Sequence, residues 1–274
     1  MQKMAVFGNP IEHSLSPIMH NYVYKEHGID AIYERYLLEK SEDLRKIFDR
    51  EGYRGINITV PHKEAAFSMC DEVSDIAQKI GAVNTWHIEN GKVVGYNTDA
   101  IGFICSISKM PLPKNTLIIG AGGAAKAIAI ALMEADFTLT ILNRTKDRLY
   151  FFENFGIKTL SWKDNPGEGY DLIINTTSAG LKDNTFPLEQ ERLAKLFDGA
   201  KSAIDIIYGK VTPFLRLAKE KKLTVKDGED MLIYQGATAH SIFFNDRDTS
   251  AIAELMRKAL LEHKARKAAM SPQA

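Results

Sequence analysis

The stretch Thr116-Leu-Ile-Ile-Gly-Ala-Gly-Gly-Ala-Ala125 constrains this chain more than any other. A short apolar run reaches Gly120, Gly122 and Ala125, then passes into the helix-favouring segment Lys126–Glu134. Strand, glycine turn and small-residue helix in that order fit a dinucleotide-binding turn. Gly120 permits the tight bend, Gly122 lets a pyrophosphate approach the backbone, and Ala125 keeps helix and strand close. The amides that open the helix then face the phosphates at the positive end of its dipole. Glycine-rich turns also merely join strands to helices, so the rest of the chain must support the cofactor reading.

Strand-like runs alternate with amphipathic helical patterns almost throughout, which predicts an α/β fold. In the first hundred residues, strands are expected at Met4–Phe7, Ile32–Leu37 and Gly55–Val60. A hairpin of Val83–Ile88 and Lys92–Tyr96 flanks the turn Glu89-Asn90-Gly91. Helical patterns fit Pro17–His27, Glu42–Glu51, Lys63–Met69 and Val73–Lys79. The two prolines of Met110-Pro-Leu-Pro-Lys114 mark a break. A second series of strands follows at Leu117–Ile119, Leu139–Leu142, Leu172–Asn175, Ala203–Ile206 and Thr224–Lys226. Helices between them fit Ala124–Ala135, Lys146–Phe155, Glu189–Phe197 and Pro213–Lys221. Short β-branched strands with helical crossovers predict a parallel sheet covered on both faces. From about Asp230 the patterns are only helical; this tail either caps the second domain or returns to the first.

Composition narrows the partners. The 35 basic and 35 acidic side chains give a net charge of +0, so no global basic field points to nucleic acid or to an anionic membrane. The mildly basic end, Lys258–Lys267, reads as a solvated helix face. No apolar run approaches the roughly 20 residues that span a bilayer, and Met1-Gln-Lys-Met-Ala-Val-Phe-Gly runs straight into a strand rather than a signal peptide. Cys70 and Cys105 lack metal-like spacing and read as two reduced thiols in a cytoplasmic protein. The seven histidines include no His-Glu-x-x-His pair, so no metal is expected.

The end of the second nucleotide-domain strand selects the cofactor. A carboxylate about 20 residues past the glycines usually holds the ribose 2′-hydroxyl of NAD. Here Asn143 stands in that place, Arg144 follows, and Arg148 lies one helical turn on. A carboxylate repels a 2′-phosphate, whereas two guanidiniums can clamp it. NADP is the expected cofactor.

Three polar clusters in the first hundred residues suggest a substrate site. In Ser14-Leu-Ser16-Pro17 two hydroxyls precede a proline-started helix, and either serine alone reads as its N-cap. In Asn57-Ile-Thr59-Val-Pro-His-Lys63 the extended run puts Asn57 and Thr59 on one face, with Ile56, Ile58 and Val60 on the other. Asn84 and the run Asn97-Thr-Asp99 sit at the two ends of the hairpin, which strand pairing brings near each other. Asn175-Thr-Thr-Ser-Ala-Gly180 either lies under the nicotinamide or is a polar strand-end loop. Phe151, Phe152 and Phe155 read as the core face of a helix.

With these pieces in order, together with Gly81-Ala-Val-Asn84-Thr, Asp205-Ile-Ile-Tyr208, Gly228-Glu-Asp-Met231 and Gln235-Gly236, the chain resembles the shikimate dehydrogenase family nearly end to end. The resemblance implies a two-domain α/β architecture. Residues 1–100 with 235–274 would form the substrate domain and 101–234 a Rossmann-like NADP-binding domain, with the last helices folding back onto the first. It further implies NADP-dependent interconversion of 3-dehydroshikimate and shikimate, a step toward aromatic amino acids. By matching position, Ser14, Ser16, Thr59, Asn84, Asp99, Tyr208 and Gln235 would hold the substrate, and Lys63 and Asp99 would flank the reacting oxygen. Asp75, Gly120, Ala121, Gly122, Gly123, Ala124, Asn143, Arg144, Thr145, Lys146, Asp147, Arg148, Ile206 and Gly228 would contact the cofactor. Two departures stand out: His62 occupies a place where phenylalanine is also familiar, and the loop after Tyr208 is short and lacks the family's proline. Alternatives are a quinate/shikimate dehydrogenase using NAD and a catalytically silent nucleotide-binding regulator. The sequence leaves the assembly open, a homodimer included.

Overall fold

The alternating pattern resolves into two six-stranded sheets. The computed structural model describes residues 1–110, 114–246 and 248–270; the expected proline break falls largely on 111–113, outside the described residues. Two compact units divide the chain, residues 1–102 with 233–274, and residues 103–232.

The first unit runs β1 (Gln2–Gly8), α1 (Ser16–Glu26), β2 (Ala31–Leu37), α2 (Leu44–Glu51), β3 (Gly55–Ile58), α3 (Lys63–Met69), β4 (Glu72–Val73), α4 (Asp75–Ile80), β5 (Thr85–Glu89) and β6 (Lys92–Tyr96); α5 (Asp99–Ile107) starts in it and passes into the second unit after Gly102. Its sheet order is β2-β1-β3-β5-β6-β4. β1 pairs parallel with β2 and β3, whereas β5 pairs antiparallel with β3 and β6. Asn90 and Gly91 have φ of 50° and 79°, the two left-handed residues that a tight hairpin turn demands, and Glu89 sits opposite Lys92. Thr85 therefore faces Tyr96, and the residues flanking the hairpin's open end meet.

Three expectations in this unit need correction. The helix at Val73–Lys79 is instead a two-residue strand beside β6, followed by extended Ser74 and a helix from Asp75; β-branched Val73 suits the sheet edge, and serine suits a helix entry. The strand at Gly55–Val60 stops at Ile58, because Thr59 O accepts the His62 amide at 3.0 Å in a turn that leaves Val60 66% exposed. Neither serine is the N-cap of α1: that place falls to Leu15, while Ser14 Oγ accepts the Ser16 amide at 3.3 Å. Helix α5 had no signal of its own, since its run Asp-Ala-Ile-Gly-Phe-Ile-Cys-Ser-Ile is apolar without a clear polar face.

The second unit comprises β7 (Asn115–Ile119), α6 (Gly123–Glu134), β8 (Thr138–Asn143), α7 (Tyr150–Glu153), β9 (Lys158–Ser161), β10 (Leu172–Asn175), α8 (Gln190–Asp198), β11 (Ser202–Asp205), α9 (Pro213–Glu220) and β12 (Thr224–Lys226). The order is β12-β11-β10-β7-β8-β9, with every pairing parallel. Alternate residues feed two cores: Ile118, Ile141, Ile174 and Ile204 on one face, Leu117, Ile119, Leu142, Ile173 and Ala203 on the other. Burial on both faces is what a parallel sheet with helical crossovers requires. Strand order reverses between β7 and β10, the place where such sheets bind ligands at their carboxyl ends. The helix expected at Lys146–Phe155 is instead a 3₁₀ turn at Lys146–Leu149 followed by the single turn α7, closed by Gly156 at φ 70°. Phe152 alone of its trio is fully buried; Phe151 packs at the core edge and Phe155 is 36% exposed.

The chain ends in α10 (Glu229–Phe244) and α11 (Thr249–Met270). From Ile233 onward it belongs to the first unit. Phe243 packs there with Met4, Val6, Tyr24 and Tyr33, and Gly236 lies against Met19 and Met256. Of the two fates open to the tail, it returns to the first unit. Among the described residues, no helix is long and apolar enough to cross a membrane.

Candidate active site

Lys63 is the first residue of α3, and three backbone and side-chain anchors fix it. Its carbonyl accepts the Val83 amide at 3.1 Å. The preceding His62 is buried, with Nε2 2.9 Å from Leu38 O and Nδ1 2.6 Å from Ser41 Oγ. Burial holds the His62 imidazole below its ordinary pKa, so it is neutral: Nε2–H donates to the carbonyl and the serine hydroxyl donates to Nδ1. The histidine at this position thus clamps the loop between β3 and α3.

Lys63 Nζ donates to Asp99 Oδ2 at 2.5 Å, with side chains only 14% and 7% exposed. The second carboxylate oxygen, Oδ1, accepts Asn84 Nδ2 at 2.9 Å, and the Asp99 amide donates to Asn97 Oδ1 at 3.1 Å. Asn84 is itself held by the Thr98 amide at 2.8 Å and by Thr85 Oγ1 at 3.0 Å. Thr85 Oγ1 accepts Asn57 Nδ2 at 2.9 Å, and Asn57 Oδ1 accepts the Tyr33 hydroxyl at 2.6 Å. Burial pushes the Tyr33 phenol well above its ordinary pKa, which keeps it a donor; the Ser16 hydroxyl partners it too. His20 stacks flat on Tyr33, with ring centroids 4.2 Å apart. From Tyr33 to Asn57, Thr85 and Asn84, every link donates toward the Asp99 carboxylate. Such a satisfied chain in a low-dielectric interior polarises itself and fixes its terminal groups.

The structure thus brings Lys63, Asp99, Asn84 and Ser16 into one bonded network. Gln235 reaches the same place: its Oε1 lies 3.5 Å from Thr98 Oγ1, and a side chain at Gly102 would strike it. Ser14 stands beside Ser16, with its carbonyl taken by Arg35 at 2.6 and 2.9 Å. Thr59 lies at the turn between β3 and α3, its amide donating to Phe7 O at 2.8 Å. Asp75 is exposed at the start of α4. Tyr33 was missed, and Thr85 and Thr98, inside the quoted motifs, were given no role; strand alternation could mark their faces, but not their partners from other strands.

The second unit holds the glycine turn. Gly120 has φ 114°, its amide donates to Leu142 O at 2.9 Å, and a Cβ there would lie 2.5 Å from Thr176 Oγ1. Only glycine fits both the angle and the space. At Gly122 a Cβ would meet nothing within 4 Å, and the twelve-residue helix α6 starts beyond it without a side-chain cap. Amides at such a helix start can take phosphate oxygens. Ala121 is buried, while Gly123 and Ala124 are partly exposed at the helix start. Asn143 ends β8, its Nδ2 donating to Thr145 O at 2.8 Å; Arg144, Lys146, Asp147 and Arg148 follow, all exposed. The Arg144 guanidinium lies 5.6 Å from the centre of the Trp162 ring. These residues fit NADP: open space at the helix start, and at the end of β8 an asparagine followed by Arg144 in place of the carboxylate that would repel a 2′-phosphate. Gly228 abuts Ile206 O, where a Cβ would come to 2.0 Å. The Asn175–Gly180 segment packs its Thr176 against this turn, with Thr176 Oγ1 donating to Ile119 O at 2.8 Å.

The short loop after Tyr208 is organised by Asp205. This buried carboxylate accepts Thr212 Oγ1 at 2.6 Å, the Ile207 amide at 3.1 Å and Asn175 Nδ2 at 3.2 Å. Burial, aided by Asp227, outweighs these donors and raises its pKa to about 6. Between the ordinary carboxylate pKa and about 6 the native state holds more protons than the unfolded chain, so this group's contribution to stability declines as pH rises through that window. From about pH 4 to about pH 7, wild type should lose roughly 2–3 kcal/mol relative to Asp205→Asn, as read by denaturant midpoints. A wild-type-minus-variant difference that is flat with pH would refute this assignment.

Comparison with known proteins agrees with the geometry. Residues 6–86 match the family profile of the shikimate dehydrogenase substrate binding domain. The chain is 46% identical over 255 residues to the shikimate dehydrogenase (NADP(+)) of Helicobacter hepaticus, covering 92% of this chain and 95% of that protein. It is 44% identical over 247 residues to the enzyme of the same name from Helicobacter pylori, covering 89% and 92%. The crystal structure of shikimate 5-dehydrogenase from Thermus thermophilus in complex with NADP(H) and shikimate superposes with a TM-score of 0.81 at 38% identity, over 94% of this chain and 100% of that one. With likeness of this extent in sequence and in fold, the chain belongs to the shikimate dehydrogenase family.

Proposed function

We infer that the protein catalyses the NADP-dependent, reversible reduction of 3-dehydroshikimate to shikimate, within the route to chorismate and the aromatic amino acids. The observation that carries this reading is the buried Lys63–Asp99 pair, tethered to Asn84. A ketone-to-alcohol conversion needs a proton at the oxygen as well as a hydride at the carbon. NADPH, when bound, supplies the hydride. Lys63 Nζ is the proposed proton-transfer group, and Asp99 holds that nitrogen in place and shares the transfer. Ser14, Ser16, Thr59, Asn84, Tyr208 and Gln235 are proposed to bind the substrate's carboxylate and hydroxyls. Gly120 to Ala124, Asn143 to Arg148, Ile206, Gly228 and Asp75 are the proposed cofactor contacts. Free Cys70 and Cys105 fit a reducing compartment, and the cytoplasm is the proposed location.

The test is the absorbance of NADPH formed from shikimate, with quinate and NAD as controls. Shikimate with NADP should be the fastest pair; faster quinate oxidation with NAD would replace this reading by a quinate/shikimate dehydrogenase. Binding of NADP without turnover of either substrate would replace it by a silent regulator. In the same assay, Arg144→Ala should raise the KM for NADP about tenfold or more, the usual scale for one charge-assisted contact, and leave NAD kinetics nearly unchanged. Equal effects on both cofactors would remove Arg144 from the 2′-phosphate.

A further inference from the structure

The sequence offers no metal-like spacing, yet the fold gathers three ligand residues in the first unit, behind the His20 ring that stacks on Tyr33. His27 caps the carboxyl end of α1, His240 lies in the last turn but one of α10, and Asp246 follows α10 after Asn245, whose φ is 52°. One ligand atom from each lies within 4.8 Å of the others, and His27 Nδ1 is 4.0 Å from Asp246 Oδ2. The decisive observation is His240: it is 0% exposed, and neither ring nitrogen has a hydrogen-bond partner among the described residues. A buried polar group left without a partner is costly and rare, so it calls for an explanation. The rings of His20, Tyr24 and Phe244 pack around His240, and the His20 nitrogens and Tyr24 hydroxyl are buried and unpaired as well, so none of them bonds it in this arrangement.

We propose that His27, His240 and Asp246 bind a divalent transition-metal ion of the zinc class, which fastens the end of α1 to the end of α10. Two imidazoles and a carboxylate suit zinc or cobalt and disfavour magnesium, which prefers oxygen ligands. Imidazole ligates in its neutral form, so uptake should weaken as pH falls. Asp246 Oδ1 is occupied by the Asp248 amide at 2.9 Å, which orients the carboxylate and leaves Oδ2 toward His27. A tetrahedral zinc site sets its ligand atoms about 3.4 Å apart, so closure needs shifts of roughly 1 Å. The side chains of His27 and Asp246, 36% and 30% exposed, can make that adjustment, and water can complete the set.

The full-length protein, stripped with a chelator, is titrated with zinc by calorimetry and with cobalt by visible absorption, with magnesium as control. Wild type should take up one zinc with a raised thermal midpoint, and cobalt should give the d–d bands of a low-coordinate site. His27→Ala and Asp246→Asn, both at partly exposed positions, should each weaken zinc binding at least tenfold, the lower scale for disturbing a metal ligand's surroundings. They should also abolish the midpoint rise while leaving shikimate turnover unchanged. His240→Phe should behave likewise, and the other two variants carry the test if it fails to fold. Absence of saturable zinc uptake at millimolar concentration, or uptake equal in wild type and both exposed variants, overturns the proposal.

Discussion

Lys63→Ala should lower turnover by about 10²–10⁴-fold, the usual cost of losing a positioned acid/base, while NADP binding stays close to wild type. The ammonium has no obvious substitute: the lysine is 14% exposed, and among the described residues it pairs with a carboxylate that is 7% exposed. The variant also leaves Asp99 buried without its cation, so stability falls as well. Asn84 Nδ2 and the fixed hairpin end continue to hold the carboxylate, so the chain should still fold, and rates must be read below the lowered midpoint. Asp99→Asn and the double variant complete the cycle. If lysine and aspartate act as one unit, the double variant should be hardly slower than either single one. Unaltered turnover in Lys63→Ala would remove lysine from the chemistry; a normal rate in Asp99→Asn would leave lysine acting alone.

Gly228→Ala should cost roughly 3 kcal/mol or more of stability, together with most of the NADP affinity. The ideal Cβ would stand 2.0 Å from Ile206 O and 2.5 Å from Ile206 C. Both are backbone atoms at the end of β11, so no side-chain rotation relieves the overlap. The Gly228 amide also donates to Ile207 O at 3.1 Å, and displacing it would open the start of α10. Gly122→Ala is the contrasting variant. Its Cβ meets nothing within 4 Å, and its φ of −85° is ordinary, so the fold should be almost unaffected. Its methyl group would nevertheless occupy the space proposed for the pyrophosphate, and NADP should bind more weakly. Denaturation midpoints and cofactor fluorescence read the two effects separately. A Gly228→Ala protein with a wild-type midpoint would contradict this close packing of Gly228 on Ile206.

Much of this follows from local pattern. The glycine turn after β7, the parallel nucleotide-domain strands and the tight Asn90-Gly91 hairpin are each written in fewer than about 20 consecutive residues, because backbone angle, periodicity and strand pairing act at short range. That hairpin also made the meeting of Asn84 with Asp99 legible, since pairing register carries its two ends together. The elements the sequence concealed are those without an amphipathic period or a full turn of their own: the apolar helix α5, the edge strands β4 and β9, and the 3₁₀ turn at Lys146–Leu149.

By itself, then, the sequence determined the α/β class, the nucleotide turn and the residue types at the substrate site. The residue pattern left the tail's place open and the family resemblance pointed it to the first unit, but the tertiary structure seated α11 on α1 and directed the donors of Tyr33, Asn57, Thr85 and Asn84 at Asp99. It alone placed His27 beside His240. The physical reason is common to all three: they depend on contacts between segments far apart in the chain, where local propensity is silent and burial of apolar faces chooses which side chains meet.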